Sequence, residues 1–296
     1  MGAVEVNTGY AARLGWTPDD FGQQWFDTQL VQAIATTQTQ LGLPVIDGIC
    51  GPKTYGAVLK QQYATLLAPG SSTTLVELGQ AVVCSAKIVW LTNIIDGKAP
   101  NAESRVAITE MINSVRGLGW AWEASYTGDG DFEWCGAFAA YVWARSGIRL
   151  AIRKTYFAST YRLDRWARYM RVDTSIPNPR PSVTQADPRM IINLDETARP
   201  NDAKMPDGSL PRAGDIVMVG GVNTGPGKHI TIVESFDPKS GVFTTIEGNG
   251  FGLLPSGSPA QGVIRATRRV GLSAGAKPST YFVRRIIRPS LHDVID

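Results

Sequence analysis

One cysteine lies where a helix is expected to begin. Apolar residues follow Cys135 at spacings of three, four and seven, which predicts a helix with one buried face that ends near Gly147. The N-terminus of a helix carries partial positive charge and free backbone N–H groups, and both favour an ionised thiol. The stretch therefore indicates either a thiolate nucleophile or a buried structural cysteine.

A thiol nucleophile needs a base, which is usually a histidine held in place by a third polar group. The chain has two histidines. His292 lies close to the chain end, where order is often low. His229 instead opens the β-branched run 230–233 after a glycine-rich turn, which predicts the first residue of a strand. His229 is thus the expected base.

A second strand-like run, residues 242–249, follows a turn at 237–241 and is predicted to pair with the His229 strand as an antiparallel hairpin. The side-chain period of two puts Glu247 and Asn249 on one face of that run, beside the strand that begins with His229. Both residues are candidates to orient the histidine. The alternative is a surface hairpin with an incidental histidine and glutamate.

This pattern resembles the CHAP superfamily of cysteine, histidine-dependent amidohydrolases/peptidases. The order is Cys135, His229, then Glu247 and Asn249 in a Glu-x-Asn segment, with Pro-Arg-Ala-Gly-Asp at 211–215 shortly before the histidine. The resemblance implies that Cys135 is the nucleophile and His229 the base and later acid. It also implies that Glu247 orients the histidine with help from Asn249, in a domain of papain-like fold.

The residue before the cysteine departs from the family pattern. Several relatives have glutamine there, whereas this chain has Trp134. The side-chain donor of an oxyanion hole is therefore unassigned. The backbone N–H of Cys135 is the one donor that the sequence identifies.

A second resemblance lies near the start of the chain. The segment Asp-Gly-Ile-Cys-Gly-Pro-Lys-Thr at 47–54 resembles the signature of the small three-helix peptidoglycan-binding domain, and the match covers roughly residues 25–67. Pro52 suits the first turn of a helix. The resemblance implies that these residues take part in wall binding: Asp47, Gly48, Gly51 and Thr54. The alternative is an ordinary helical pair. Cys50 and Cys84 are expected to pack in cores.

Three further segments could contact ligands. Asp129, Asp131 and Glu133 precede the cysteine and could hold calcium, although a solvated loop is favoured and no other cofactor is expected. Arginines and aromatic residues are interleaved over 145–171. This segment could bind an anionic wall polymer, but the favoured interpretation is an amphipathic helix with its arginines facing water. Residues 172–211 are rich in proline and are expected to form a recognition loop.

Composition limits the class of protein. A chain of 296 residues with 43% hydrophobic content should form about two domains, and a net charge of +3 is too small to indicate nucleic-acid binding. Three widely spaced cysteines give no disulfide framework and no zinc motif. The apolar run 75–95 contains charged residues, so a buried helix is expected rather than a membrane span. No secretory signal is visible, which predicts synthesis in the cytoplasm and action on the cell wall or periplasm.

The predicted fold class is α+β: a small N-terminal three-helix wall-binding domain plus a papain-like domain of helices packed on an antiparallel sheet. The expected divisions are residues 1–67, a packing helix over 68–99, and a catalytic domain over 100–296. The predicted function is hydrolysis of an amide bond in peptidoglycan by a cysteine enzyme, either an amidase or an endopeptidase, as in a phage endolysin. The protein is expected to be a monomer. The alternatives are an injected antibacterial effector, a non-catalytic wall-binding or virion protein, and a cysteine acyltransferase.

Overall fold

The computed structural model describes residues 2–68, 74–96, 102–114, 134–148, 160–169, 190–273 and 280–289. The helices are α1 (Ala3–Leu14), α2 (Thr28–Gln40), α3 (Pro52–Leu66), α4 (Leu75–Leu91), α5 (Ala102–Ser114), α6 (Cys135–Arg145) and α7 (Thr160–Tyr169). The strands are β1 (Met190–Asn193), β2 (Ile216–Gly220), β3 (His229–Asp237), β4 (Val242–Leu253), β5 (Pro259–Arg269) and β6 (Phe282–Arg288). The predicted α+β class is confirmed. The finer wall-binding and papain-like descriptions stay predictions.

The N-terminal helices are joined through the loop that precedes α3. The side chain of Asp27 caps α2 by accepting a hydrogen bond from the Leu30 N–H, and Pro52 begins α3. Helix α1, for which the sequence gives no clear signal, is tied to the same loop. The Asn7 amide donates to the carbonyl of Gly48 and accepts from the N–H of Cys50, both at 2.8 Å. The first residues of the chain therefore belong to this helical unit.

The described strands form one antiparallel sheet in the order β1-β6-β2-β3-β4-β5. The β3–β4 hairpin pairs Ile232 with Ile246, as the period of two and the intervening turn predict. On one face, Ile216, Ile230 and Ile246 pack into a cluster with α4 and α6. On the other, a smaller cluster forms around Val217, Val233, Phe243, Val283 and Ile286. Both faces of the sheet are thus covered.

The cluster on the helix side runs without a break from α1 to the sheet. It includes Leu14, Ile34 and Tyr55 of the N-terminal helices as well as Trp90 of α4 and Ile232 of β3. The boundaries predicted at residues 67 and 99 are not tested by this packing and stay predictions. None of the helices in the described part of the chain has the length and apolar character that a bilayer span requires.

A buried ion pair links α4 to the sheet. The ammonium group of Lys87 lies 2.7 Å from a carboxylate oxygen of Glu234, and both side chains are almost fully buried. Lys87 also donates to the carbonyl of Gly15 and to the hydroxyl of Tyr55, and Arg265 of β5 binds the other oxygen of Glu234 at 2.6 Å. Lys87 therefore connects the N-terminal helices, α4 and β3 at one point.

The Pro-x-x-Gly-Asp segment lies directly against α4. Gly214 adopts a φ of 84°, and its backbone touches that of Gly79, where an added Cβ would lie 2.1 Å from the carbonyl oxygen of Ala213. The next residue, Asp215, forms a buried two-point ion pair with Arg288 at 3.0 and 2.9 Å. In this structure, the segment fixes the entry to β2.

We expect Gly79→Ala to lower the free energy of unfolding by about 2 to 3 kcal/mol, since the methyl group cannot fit without a backbone shift. Gly56→Ala in α3 is the matched control, because its Cβ would meet only Leu91 at an ordinary 3.6 Å. That change should raise the free energy of unfolding by up to about 1 kcal/mol. Chemical denaturation of both variants measures the difference. Equal effects would contradict the close α4 contact.

Candidate active site

Cys135 is the first residue of α6 and is only 5% exposed. Helix α6 packs on β3 and β4, and its first turn approaches β4 at Gly248. A Cβ on Gly248 would lie 2.4 Å from the Cβ of Phe138 and 2.7 Å from the ring of Trp134. A glycine is therefore needed here, and the close approach sets the thiol beside the strand that carries Glu247.

The side chain of Trp134 is not free to donate a hydrogen bond to a ligand beside Cys135. Its side chain is fully buried, and its indole N–H donates to a carboxylate oxygen of Asp96 at 2.7 Å. No local pattern predicts this pair, since the two residues are 38 positions apart. Trp134 therefore anchors the start of α6, and the side-chain donor of an oxyanion hole stays unassigned.

His229 is the first residue of β3, as its place after a glycine-rich turn predicts. It pairs with Val219 of β2. Gly227 just before it has a φ of 134° and lies against the backbone of Val219. The imidazole is 14% exposed, and its Nε2 lies 3.0 Å from Oε2 of Glu247. The predicted histidine–glutamate pair is thus present in the structure.

Glu247 is fully buried and is held by three partners. Besides His229, the hydroxyl of Thr245 donates to Oε1 at 2.6 Å, and the guanidinium of Arg268 spans both carboxylate oxygens, with Nε 2.8 Å from Oε1. Burial alone raises the pKa of Glu247, but the hydrogen bonds and charges of His229 and Arg268 outweigh it and lower the pKa to about 2. The carboxylate is therefore ionised and can only accept hydrogen bonds.

This charge state fixes the histidine tautomer. Since an ionised Glu247 only accepts, Nε2 of His229 must carry a proton and donate it. Nδ1 is then the nitrogen left to exchange a proton with Cys135. Burial on its own lowers the pKa of His229, but negative charge on Cys135 and hydrogen bonds to Cys135 and Glu247 raise it to about 10. With this raised pKa, His229 is an imidazolium at neutral pH.

Asn249 takes a different position from the one expected. A bulge in the β4–β5 pairing falls between Glu247 and Gly250, and Asn249 within it has a φ of 55°. Its side-chain oxygen accepts a hydrogen bond from Gln261 at 2.9 Å. The structure thus brings Cys135, His229 and Glu247 together, whereas the recorded side-chain bond of Asn249 is to Gln261. Its assisting role stays a prediction.

The residues of the wall-binding signature surround a buried amide. Gln38 of α2 accepts from the N–H groups of Asp47 and Gly48, and donates to the side chains of Asp47 and Thr54. Gly48 has a φ of 67° against Val31. Gly51 is close to the ring of Tyr10, which a Cβ would meet at 3.5 Å. These contacts give Asp47, Gly48 and Thr54 a structural role in the loop, while their role in wall binding stays untested.

Other predicted ligand contacts lie partly or wholly beyond the described ranges. The calcium candidates Asp129, Asp131 and Glu133 fall outside them, as do His292 and residues 172–189 of the expected recognition loop. Within the arginine-rich segment, Arg168 of α7 forms an ion pair with Asp164 at 2.9 Å, and Asp164 also binds Arg285 of β6 at 3.0 Å. For Arg168, these contacts agree with the amphipathic-helix interpretation.

The raised pKa of His229 gives a pH prediction. For any amide cleavage in which this imidazole protonates the leaving amine, kcat/KM would stay high through neutral pH and fall as pH rises through about 10. An unpaired histidine would lose its proton near the ordinary value of 6.5. The pH–rate profile of the wild type measures this limb. A high-pH limb near 6.5 would contradict the ion pair.

Two residues of the site were missed by the sequence analysis. Arg268 and Thr245 both bind Glu247. Thr245 could have been found, since it precedes Glu247 by two on the same strand. Arg268 could not, because its contact depends on the β4–β5 register, which the bulge shifts.

Comparisons of the chain with protein-family models, with curated proteins and with solved structures found no match. The resemblance to the CHAP superfamily therefore depends on the residues quoted above. The contacts among Cys135, His229 and Glu247 do not depend on that resemblance.

Proposed function

We propose that the chain is a cysteine amidohydrolase or peptidase that cleaves an amide bond of bacterial peptidoglycan. The observation that carries the proposal is the contiguous set of Cys135, His229 and Glu247, with the carboxylate held by Arg268. A buried cysteine that served packing alone would not need a histidine whose tautomer is fixed by an ionised glutamate.

The reaction follows from these positions. The Cys135 thiolate attacks the amide carbonyl carbon, and the developing oxyanion is stabilised by the Cys135 backbone N–H at the start of α6. The His229 imidazolium gives its Nδ1 proton to the leaving amine, and the C–N bond breaks to leave a thioester. Water then attacks the thioester with His229 as base, which releases the carboxylate product and restores the thiolate. Throughout, the Nε2 proton stays on His229 and is donated in a hydrogen bond to the Glu247 carboxylate.

The choice of peptidoglycan as substrate has two supports. The quoted Cys, His, Glu-x-Asn order resembles that of cell-wall hydrolases, and a helical unit with a wall-binding signature packs against the same sheet. A phage endolysin and an injected effector are both compatible with these features. An amidase and an endopeptidase would use the same three residues.

The test is digestion of purified peptidoglycan, with new amino termini and freed glycan strands identified by mass spectrometry. We expect release of fragments, and the fragment masses separate amidase from endopeptidase cleavage. Protein alkylated at Cys135 by iodoacetamide is the control and should release none. Sedimentation with the wall without any cleavage would favour the binding-protein alternative. Incorporation of added amines without lysis would favour an acyltransferase.

A further inference from the structure

A groove separate from the catalytic residues runs between α3 and α4. Its volume is about 650 Å³, within the roughly 300–1,000 Å³ typical of ligand sites. The lining residues used below are Tyr55, Leu59, Gln62, Gln80, Val83 and Lys87. The turn that follows α1, with Asp20, also lines the groove, and so does Ala213 next to β2. We call this site the α3–α4 groove.

The groove combines apolar and uncharged polar walls. On α3, Tyr55, Leu59 and Gln62 are spaced by four and three residues, so they share one helical face. Gln80 and Val83 share the facing side of α4. Aliphatic side chains thus lie beside glutamine amides that can both donate and accept hydrogen bonds. Such walls suit a ligand with a C–H face and hydroxyl or amide edges, which describes a pyranose ring.

Charge at the groove argues against an anionic ligand. Lys87 is the one cation among the described residues that line it, and its charge is already matched by Glu234 at 2.7 Å. Asp20 adds a carboxylate near the mouth. The carboxylate would repel a phosphate-bearing polymer, and the described lining residues offer no unpaired cation to bind its phosphates. An uncharged ligand needs no counter-charge here.

We propose that the α3–α4 groove binds an uncharged glycan segment built of N-acetylhexosamine units. The inference builds on the proposed function, since it names the part of the wall polymer that the helical unit holds. The N-acetyl groups and ring hydroxyls would hydrogen bond with Gln62 and Gln80, while the ring faces lie on the partly exposed Val83.

The experiment is calorimetric titration of Cys135→Ala protein with a β-1,4-linked tetramer of N-acetylglucosamine. We expect saturable binding that Val83→Trp abolishes, because the indole fills the groove. Val76→Trp is the matched control on the same helix, since Val76 is 52% exposed and does not line the groove. It should bind like the parent. Gln80→Ala, at an exposed position with little risk to folding, should weaken binding about fivefold through loss of one hydrogen bond.

Several results would overturn the assignment. These are no binding of the tetramer, binding unchanged by both Val83→Trp and Gln80→Ala, or tighter binding of a stem peptide or a polyphosphate polymer than of the tetramer. The digestion experiment is independent of this one. Saccharide binding without cleavage by the wild type would remove the proposed function and leave the groove assignment intact, and cleavage without saccharide binding would do the reverse.

Discussion

Cys135→Ala should lower the rate of peptidoglycan hydrolysis by at least about 10⁴-fold, because loss of the nucleophile removes the covalent route altogether. The fold should be kept, since the side chain is small and lies at the first residue of α6. Release of soluble fragments from purified wall, followed at equal protein concentration, measures the loss. A rate within tenfold of wild type would exclude Cys135 as the nucleophile.

Cys50→Ala is the matched control for that change. Cys50 is also fully buried, and burial raises the pKa of its thiol well above the ordinary value, so it is unsuited to nucleophilic attack. It lies in the loop before α3, where its backbone binds Asn7 and Trp16. We expect this variant to keep its hydrolytic activity at a modest cost in stability. Loss of activity in both variants at full folding would point to a general requirement for thiols.

Glu247→Gln should reduce kcat/KM by about 10³- to 10⁴-fold, because a neutral amide can present its N–H to His229 and stabilise the wrong tautomer. Removing this carboxylate also lowers the pKa of His229, since Glu247 helps to raise it to about 10. Iodoacetate is an anionic reagent that the imidazolium attracts, so its alkylation of Cys135 should slow at high pH as His229 loses its proton, and this fall should therefore move to lower pH. This readout needs no wall substrate, and mass mapping assigns the label to Cys135.

The same change leaves Arg268 without its carboxylate partner, so a folding defect must be separated from a catalytic one. The double variant Glu247→Gln/Arg268→Met removes the unpaired cation. We expect it to recover thermal stability while hydrolysis stays low. Glu110→Gln, at an exposed position on α5, is the control for the loss of a carboxylate elsewhere and should be active. Recovery of both stability and activity in the double variant would show that Glu247 does not orient His229.

Local patterns sufficed for the main parts of the site. The start of α6 at Cys135 and the β3–β4 hairpin can each be predicted within one stretch of chain, because both depend on side-chain period and turn residues. The pairing of His229 with Glu247 then follows from the hairpin. What could not be predicted depends on distant segments, such as Asp96 under Trp134 and Arg268 beside Glu247.

Two misses have simpler causes. Helix α1 buries Asn7 along with Ala11 and Leu14, so a polar residue occupies a core position and interrupts the apolar period that marks a helix. The second miss concerns Asn249, which the side-chain period of two places on the same face as Glu247. The bulge before Gly250 breaks the alternation, and Asn249 hydrogen bonds to Gln261 instead.

The contacts of Lys87 have a mechanical consequence. Lys87 bonds to Gly15, Tyr55 and Glu234, so the N-terminal helices are fastened to the strand that begins with His229. A flexible tether lets a catalytic unit search a volume around its anchor. Here the N-terminal helices and the strand that begins with His229 are instead joined directly by the contacts of Lys87. In the proposed function, a wall strand held by the helices would therefore reach the Cys135 thiol at a fixed distance from its binding point. The position of the cleaved bond along the polymer would be set by that distance.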